Sequence, residues 1–268
     1  MAPSHVRPDA AAASARPVLS CQGVDKLYGS RTNVTRALDD VSFDVAPGEY
    51  IAIMGPSGSG KTTLLNCIST IDRPTSGHIL VDGQDITSLR SGQLSRFRRE
   101  RLGFVFQDSN LLDTLTAREN IALALTINHA PAREVPARVE QVAARLGVAD
   151  VLDKFPHQMS GGQKQRVAAA RAIVTNPSLV LADEPTGTLD SKNSRRLLES
   201  LEALNADGAT IIMVTHDSFA ASYSRRALFL KDGRIFNEIV RGSKTRKAFF
   251  DEIMDVVSFL GGEGADVR

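Results

Sequence analysis

The sequence predicts an α/β fold in which helices cover a parallel β-sheet. Short apolar runs with the length of buried strands occur at residues 50–54, 178–182 and 210–214. Each run is followed by a segment in which apolar residues recur at helical spacing. A glycine-rich loop joins the first run to its helix. Because strands that alternate with helices form parallel sheets, we expect these three strands to share one sheet.

The segment before the first of these strands is predicted to be β-structure. Residues 18–45 carry turn signals at 28–30 and 39–40, and a Pro-Gly turn at 47–48 leads into the first buried strand. Residues 1–17 are rich in Ala and Pro. Their alanine patch is too weakly apolar for the core of a secretory signal, so we expect disorder in this segment.

The middle of the chain is predicted to contain two short strands and a helical region. The strands lie at 78–81 and 104–106. Between them, residues 90–101 contain five arginines and one glutamate. This pattern is typical of the solvated face of a helix, and an acidic partner is the alternative. Residues 110–158 have a helical pattern, and the breaks in that pattern are expected at Pro131, Pro136 and Pro156.

The loop after residue 54 matches a phosphate-binding pattern, G-x-x-x-x-G-K-[ST]. The residues that fit it are Gly55, Pro56, Ser57, Gly58, Ser59, Gly60, Lys61 and Thr62. A strand before the loop and a helix after it, which includes Thr63, direct backbone N–H groups at one anion. We expect the lysine to reach the β- and γ-phosphates and the Thr62 hydroxyl to ligate Mg²⁺. A glycine-rich turn without a ligand is the alternative, and the Lys-Thr pair and the flanking elements argue against it.

The composition excludes several classes of partner. The chain is 42% hydrophobic and 24% charged, with a net charge of +1. Binding to phosphate backbones requires a basic excess, so nucleic acid is not expected as a partner. The two cysteines, Cys21 and Cys67, lack metal-ligand spacing and are interpreted as small buried residues in a reducing compartment. No apolar run is long enough for a membrane span, so we expect a soluble, cytosolic protein.

Two adjacent carboxylates follow the second buried strand. They are Asp183 and Glu184. In an open α/β sheet, ligands bind at the carboxyl ends of the strands. We therefore predict that Asp183 shares a Mg²⁺ site with Thr62 and that Glu184 polarises a water for attack on the γ-phosphate.

A second anion site is predicted at residues 160–163. Ser160, Gly161, Gly162 and Gln163 precede a helix that is predicted over 163–174. One nucleotide needs a single cradle, so the second one suggests that another subunit presents it across an interface. With Met159 before it, this stretch resembles the signature of the ATP-binding cassette (ABC) ATPases, which is commonly Leu-Ser-Gly-Gly-Gln. The Met-for-Leu difference conserves volume.

Further residues match that family in order, over about residues 18–240. The resemblance implies that Tyr28 stacks on adenine and that Gln107 senses the γ-phosphate and Mg²⁺. It also implies that Asp190 belongs to a loop that crosses the dimer interface and that His216 contacts the γ-phosphate. Catalytic roles are thus expected for Lys61 and for three further residues, Gln107, Glu184 and His216.

The resemblance also implies an architecture and an activity. The expected fold is a P-loop NTPase (RecA-like) core with an antiparallel β subdomain and an α-helical subdomain at about 108–160. The expected activity is Mg²⁺-dependent ATP hydrolysis by a homodimer that encloses two ATP molecules. Such a subunit drives a separate membrane permease from the cytoplasmic face of the membrane.

Further stretches narrow the resemblance to particular groups of ABC ATPases. Residues 104–116 are similar to the ATPases of macrolide- and peptide-export permeases. Residues 160–166, 216–222 and 249–262 are similar to bacitracin-type antimicrobial-peptide resistance ATPases. Export and a sensing complex that signals peptide or cell-wall state both remain open. An ABC protein that acts on ribosomes or DNA is disfavoured, because the chain has neither a second cassette nor a long coiled-coil insertion. The absence of an Asn-Lys-x-Asp motif disfavours a GTPase.

Residues 241–268 are predicted to be a helical extension with an amphipathic helix at 245–260. The apolar stripe consists of Phe249, Ile253, Val256, Val257 and Leu260. The basic residues at its start oppose the helix dipole, and Gly261-Gly262 are expected to end the helix. A helix this short needs a surface to cover the stripe, which its own domain, a second copy or the permease could supply. The tail of the resistance ATPases favours an assembly role.

Overall fold

A computed structural model describes residues 16–30 and 33–262. We expected disorder over residues 1–17, and residues 1–15 of that segment lie outside the described residues. The last six residues of the C-terminal extension, 263–268, also lie outside them. Among the described residues, no helix combines the length and apolar character needed to cross a membrane.

The described strands form two sheets. The first is antiparallel, with strand order β2-β1-β4-β5, and contains β1 (Leu19–Ser30), β2 (Asn33–Val45), β4 (Ser76–Val81) and β5 (Gln84–Asp85). The second has strand order β10-β9-β3-β8-β7-β6, and contains β3 (Tyr50–Met54), β6 (Leu102–Val105), β7 (Leu179–Asp183), β8 (Ile211–Val214), β9 (Arg226–Lys231) and β10 (Arg234–Val240). In this second sheet β3, β6, β7, β8 and β9 pair in parallel, and β10 is antiparallel to β9.

Eight α-helices lie within the described residues. They are α1 (Lys61–Ile68), α2 (Ser91–Arg101), α3 (Ala117–Ile127), α4 (Val135–Arg145), α5 (Gly161–Ile173), α6 (Ser191–Ala206), α7 (Ser218–Ala221) and α8 (Arg246–Gly262). The expected break at Pro136 is wrong, because this proline lies in the first turn of α4, where its missing N–H has no helical partner. Helix α5 begins at Gly161, earlier than the predicted residue 163, because Ser160 caps it.

The predicted turn at 39–40 is absent, because β2 continues through it. Asp40 has a φ of 53°, and the pairing with β1 jumps from Val24–Val41 to Lys26–Leu38. The Asp40 N–H donates to Asp25 Oδ1 at 3.1 Å. Asp39 and Asp40 of β2 therefore lie opposite the single residue Asp25 of β1. This is a β-bulge, which bends a strand without ending it.

The six-stranded sheet separates two apolar clusters. In β3, Tyr50, Ala52 and Met54 belong to one cluster, and Ile51 and Ile53 belong to the other. A strand that is buried on both faces requires an uninterrupted apolar sequence. This position fixes the glycine loop at the carboxyl edge of the parallel strands.

Helix α8 packs on its own domain. Phe249 and Ile253 are fully buried in the larger core cluster, and the rest of the stripe, Val256, Val257 and Leu260, packs against the same cluster. We predicted from the resemblance that a second copy or the permease would cover this stripe. That prediction is wrong, since the stripe packs on the chain's own core. The two glycines expected to end the helix lie within it, and the residues that follow are outside the described part of the chain.

Replacement of Phe249 by Ala is expected to lower the free energy of unfolding by about 3–5 kcal/mol, because it removes a buried aromatic ring and leaves a cavity. Denaturant unfolding measures this loss. Phe259→Ala is the control, because Phe259 lies on the same helix with 57% of its surface exposed. Equal losses in the two variants would show that α8 does not pack as described.

Candidate nucleotide site

The phosphate loop connects β3 to α1 at the carboxyl edge of the sheet. The close approach of other chain segments requires its first glycine: a Cβ on Gly55 would lie 2.2 Å from the Leu230 carbonyl oxygen. Gly58, in contrast, has open space around it. The first helical bond runs from Leu64 N to Gly60 O. The N–H groups of the first turn of α1 thus remain available to an anion.

Lys61 folds back over this loop. Its Nζ donates to the carbonyl oxygens of Gly55 and Pro56 at 2.7 and 2.9 Å. Burial lowers the pKa of Lys61, and the charges of Glu184 and Asp183 oppose that shift. The ammonium group is therefore within electrostatic range of both carboxylates and is bonded to the loop between β3 and α1. Thr62 and Thr63 follow it in the first turn of α1.

The acidic pair lies at the end of β7. Asp183 is the last residue of the strand, and Glu184 has a φ of 44°. Burial raises the pKa of Asp183, and the charge of Glu184 adds to this effect. The charge of Lys61 opposes this rise, and a positive ion at the same place would lower the pKa of Asp183 further.

Glu184 is held by the loop that follows β8, the strand next to β7. Glu184 Oε1 accepts a hydrogen bond from His216 N at 3.1 Å and lies 2.8 Å from His216 Nδ1. Thr215 Oγ1 donates to Glu184 Oε2 at 3.1 Å. These contacts fix both carboxylate oxygens, while 75% of the His216 side chain remains exposed. Thr215 has no motif of its own, and only its place before His216 gives a signal in the sequence.

Gln107 lies beside the segment that follows the acidic pair. A Cβ on Gly187 would lie 3.0 Å from Gln107 Nε2, and Thr188 Oγ1 donates to the Gln107 carbonyl oxygen at 3.3 Å. Gln165 bonds the neighbouring Phe106 carbonyl and donates to Pro185 O at 3.0 Å. Gln165, which the sequence did not single out, therefore connects α5 to both segments.

The Ser160–Gln163 stretch forms the N-terminus of α5. Ser160 Oγ accepts from Gln163 N at 3.3 Å, and Gln163 Oε1 accepts from Ser160 N at 2.9 Å, which is a capping box. Ser160 and Gly161 are exposed. Within the described residues, no hydrogen bond or ion pair connects this stretch to the phosphate loop, so a single chain does not join the two cradles.

Asp190 caps α6 and supports the α5 terminus. Its Oδ1 accepts from Asn193 N at 2.8 Å, and its Oδ2 accepts from Asn193 Nδ2 at 2.7 Å. The bond from the Asn193 N–H lowers the pKa of Asp190 most strongly. A Cβ on Gly162 would lie 2.2 Å from Asn193 Oδ1. The second glycine of the cradle is thus required where α5 meets α6.

Tyr28 lies at the rim of the site, with 41% of its surface exposed. Its hydroxyl donates to Asp72 Oδ2 at 2.7 Å. Lys26 Nζ donates to Asp72 Oδ1 at 2.6 Å and lies 4.8 Å from the centre of the Tyr28 ring. Asp72 and Lys26, which carry no motif, therefore fix the orientation of this ring.

Together these features define a class of protein. A glycine loop with a lysine joins a parallel strand to a helix, and an acidic pair lies at the same sheet edge beside it. This is the arrangement of a P-loop nucleoside triphosphatase. Residues 38–187 match the family described as ABC transporter. The chain belongs to this family and is an ATPase, the ATP-binding subunit of an ABC transporter.

Relatives match almost the whole chain. It is 50% identical over 251 residues to the ABC transporter ATP-binding protein YxdL of Bacillus subtilis (strain 168), across 93% of this chain and 97% of that protein. It is 47% identical over 246 residues to the bacitracin export ATP-binding protein BceA of Halalkalibacterium halodurans, across 91% of this chain and 97% of that protein.

Solved structures of one further relative share the fold. The cassette MJ0796, from Methanocaldococcus jannaschii, has been solved as a dimer. This dimer matches at a TM-score of 0.75 and 39% identity, across 83% of this chain and 98% of that chain. A dimeric post-hydrolysis state of MJ0796 bound to ADP and Pi matches at 38% identity and the same TM-score of 0.75, with the same coverage, 83% and 98%. The predicted family and fold class are thus confirmed.

Proposed function

We propose that the chain hydrolyses ATP as a homodimer that encloses two ATP molecules and drives a separate membrane permease. The proposed process is export of, or resistance to, antimicrobial peptides or antibiotics. The observation that carries the dimer is the exposed Ser160–Gln163 cradle. It forms the N-terminus of α5, where the N–H groups of Gly161 and Gly162 have no hydrogen-bond partner among the described residues, and no bond among those residues connects it to the phosphate loop. A second copy would supply this cradle to the ATP bound at Lys61.

The donor set at the sheet edge fits Mg²⁺. This ion prefers oxygen ligands, and it takes one or two carboxylates together with substrate phosphates. Asp183, Thr62 and Gln107 supply a carboxylate, a hydroxyl and an amide oxygen. Among the described residues, no cluster of three or more His, Cys, Asp or Glu could hold a metal, and in this proposal the phosphates of the nucleotide complete the ligand set. Bound there, the ion would neutralise charge on the β- and γ-phosphates.

The remaining residues would position and activate the reactants. Lys61 would bind the β- and γ-phosphates, with the backbone N–H groups of residues 55–63. Glu184, held by Thr215 and His216, would accept the proton of the attacking water. His216 would contact the γ-phosphate from the exposed side. Tyr28 would stack on adenine, because Asp72 and Lys26 hold its ring at the rim.

The permease and the transported compound are proposed from the family and from one relative. ABC transporter ATPases supply energy for transport, and the relative BceA is named for bacitracin export. These names support the proposal that the chain acts at the cytoplasmic face of the membrane, against a permease that handles peptides or antibiotics. We expect the neighbouring reading frame to encode a multi-span permease that copurifies with this chain, and its transport or resistance phenotype should require ATP hydrolysis. A phenotype limited to signalling would favour the sensing alternative.

Ser160→Arg is expected to block ATP-driven dimerisation while the monomer still binds ATP, because a bulky cation would fill the cradle offered to the other subunit. Light scattering with ATP in the Glu184→Gln background measures dimerisation, and calorimetry measures nucleotide affinity. Ser258→Arg is the control, since it adds the same charge at an exposed position of α8. If Ser160→Arg weakens ATP binding by the monomer as much as it weakens dimerisation, the shared site is wrong.

A further inference from the structure

Two neighbouring cavities lie at the start of α8. Their volumes are about 520 Å³ each, and Glu202 and Arg241 line both. The first is also lined by Arg246, Lys247 and Phe250 of α8. The second is lined by residues before and after β9 and β10, among them Tyr223, Arg225 and Lys244. Neither contains a residue of the nucleotide site.

The charge around these cavities is strongly positive. Five cationic side chains, Arg225, Arg241, Lys244, Arg246 and Lys247, face one carboxylate in the lining, that of Glu202. Arg241 pairs with Glu202 at 3.5 Å, and Lys244 pairs with Glu252 of α8. Among the described residues, Arg225 and Lys247 have no ion-pair partner. The lining thus has more positive charge than its own carboxylates balance.

The backbone adds to this excess. Helix α8 begins at Arg246, and its first turn contains no acidic residue. Thr245 Oγ1 accepts from Ala248 N at 3.2 Å, so the N–H groups of Arg246 and Lys247 remain without a hydrogen-bond partner in the described structure. The positive end of a 17-residue helix therefore coincides with a group of cations. An anion would stabilise both.

An independent observation comes from Tyr223. This residue lines the second cavity and has only 1% of its surface exposed. Its hydroxyl is buried and has no hydrogen-bond partner among the described residues. The Arg246 guanidinium lies 4.2 Å from the centre of its ring, so the tyrosine connects the start of α8 to the second cavity. A buried hydroxyl without a partner is costly, and a bound acceptor would remove that cost.

We propose that these cavities form a second anion site, which binds a phosphate group at the start of α8. Arginine, lysine and helix N–H groups are the donors that phosphate oxygens prefer, and the Tyr223 hydroxyl is a further donor. The phosphate belongs either to a free ion or to the head group of an anionic phospholipid, since both present the same oxygens. The proposal concerns a site apart from the nucleotide and does not depend on the transported compound.

The test uses the full chain with Lys61→Ala, so that the phosphate loop contributes little. Calorimetry with inorganic phosphate and sedimentation with phosphatidylglycerol vesicles are the two arms, and phosphatidylcholine vesicles are the lipid control. Saturable binding is expected in one arm, which identifies the source. Lys247→Ala and Arg225→Ala should each weaken that binding about tenfold, because each removes a charged donor.

Two comparisons keep the proposal falsifiable. Arg133→Ala removes an exposed cation from the segment between α3 and α4 and should change binding less than about twofold. Tyr223→Phe should weaken anion binding without lowering the thermal midpoint of the unliganded chain, because the lost hydroxyl has no partner to lose. The proposal is overturned if neither arm shows saturable binding, or if Lys247→Ala and Arg225→Ala behave like Arg133→Ala.

Discussion

Glu184→Gln is expected to lower kcat for ATP hydrolysis by about 10²–10⁴-fold, the usual contribution of a general base. The substitution keeps the size of the side chain, and the amide oxygen can still accept hydrogen bonds from the loop after β8. The charge that would take the proton of water is lost. Because Lys61 and the loop N–H groups are unchanged, ATP should still bind. Steady-state phosphate release gives kcat, and equilibrium binding of ATP gives the affinity.

The control for this variant is Glu140→Gln, which changes an exposed carboxylate on α4. It should hydrolyse ATP at the wild-type rate. In the presence of ATP, the Glu184→Gln chain should accumulate as a dimer, because the step that releases the two subunits is blocked. Multiple turnover near the wild-type rate by the Glu184→Gln chain would remove Glu184 from its assigned role.

Lys61→Ala is expected to weaken ATP binding about a hundredfold, since it removes charge-assisted hydrogen bonds to two phosphates, each equivalent to about a tenfold change. The effect differs from that of Glu184→Gln because it acts before the chemical step. Calorimetric titration with ATP and with ADP measures it. The loss should be larger for ATP, because only ATP carries the γ-phosphate.

Lys154→Ala serves as the matched control, because Lys154 is exposed and its side chain lies outside the nucleotide site. It should bind ATP as the wild type does. The Lys61→Ala chain should also unfold at a denaturant midpoint similar to that of the wild type, since the lost Lys61 ammonium bonds only two loop carbonyls. Unchanged ATP affinity in a folded Lys61→Ala chain would contradict the assignment of the phosphate loop.

The sequence determined the elements that depend on neighbouring residues. The run at 50–54 and the loop after it required a strand, a turn and a helix start, because apolar burial and the phosphate pattern are both local. The acidic pair at 183–184 could be placed at a sheet edge because it directly follows an apolar run with the length of a buried strand, which is also a local feature. The cap at Ser160 is equally local, since its partner Gln163 is only three positions later, although the predicted helix began at residue 163 and missed it.

The tertiary structure alone decided which distant residues meet. The contact of Glu184 with His216 depends on β7 and β8 being adjacent in the sheet, and strand order is not contained in local periodicity. The same holds for Tyr28 and Asp72, which are 44 positions apart. The α8 stripe was visible in the sequence, but the surface that covers it was not, because periodicity fixes which face is apolar and only packing fixes what lies against it.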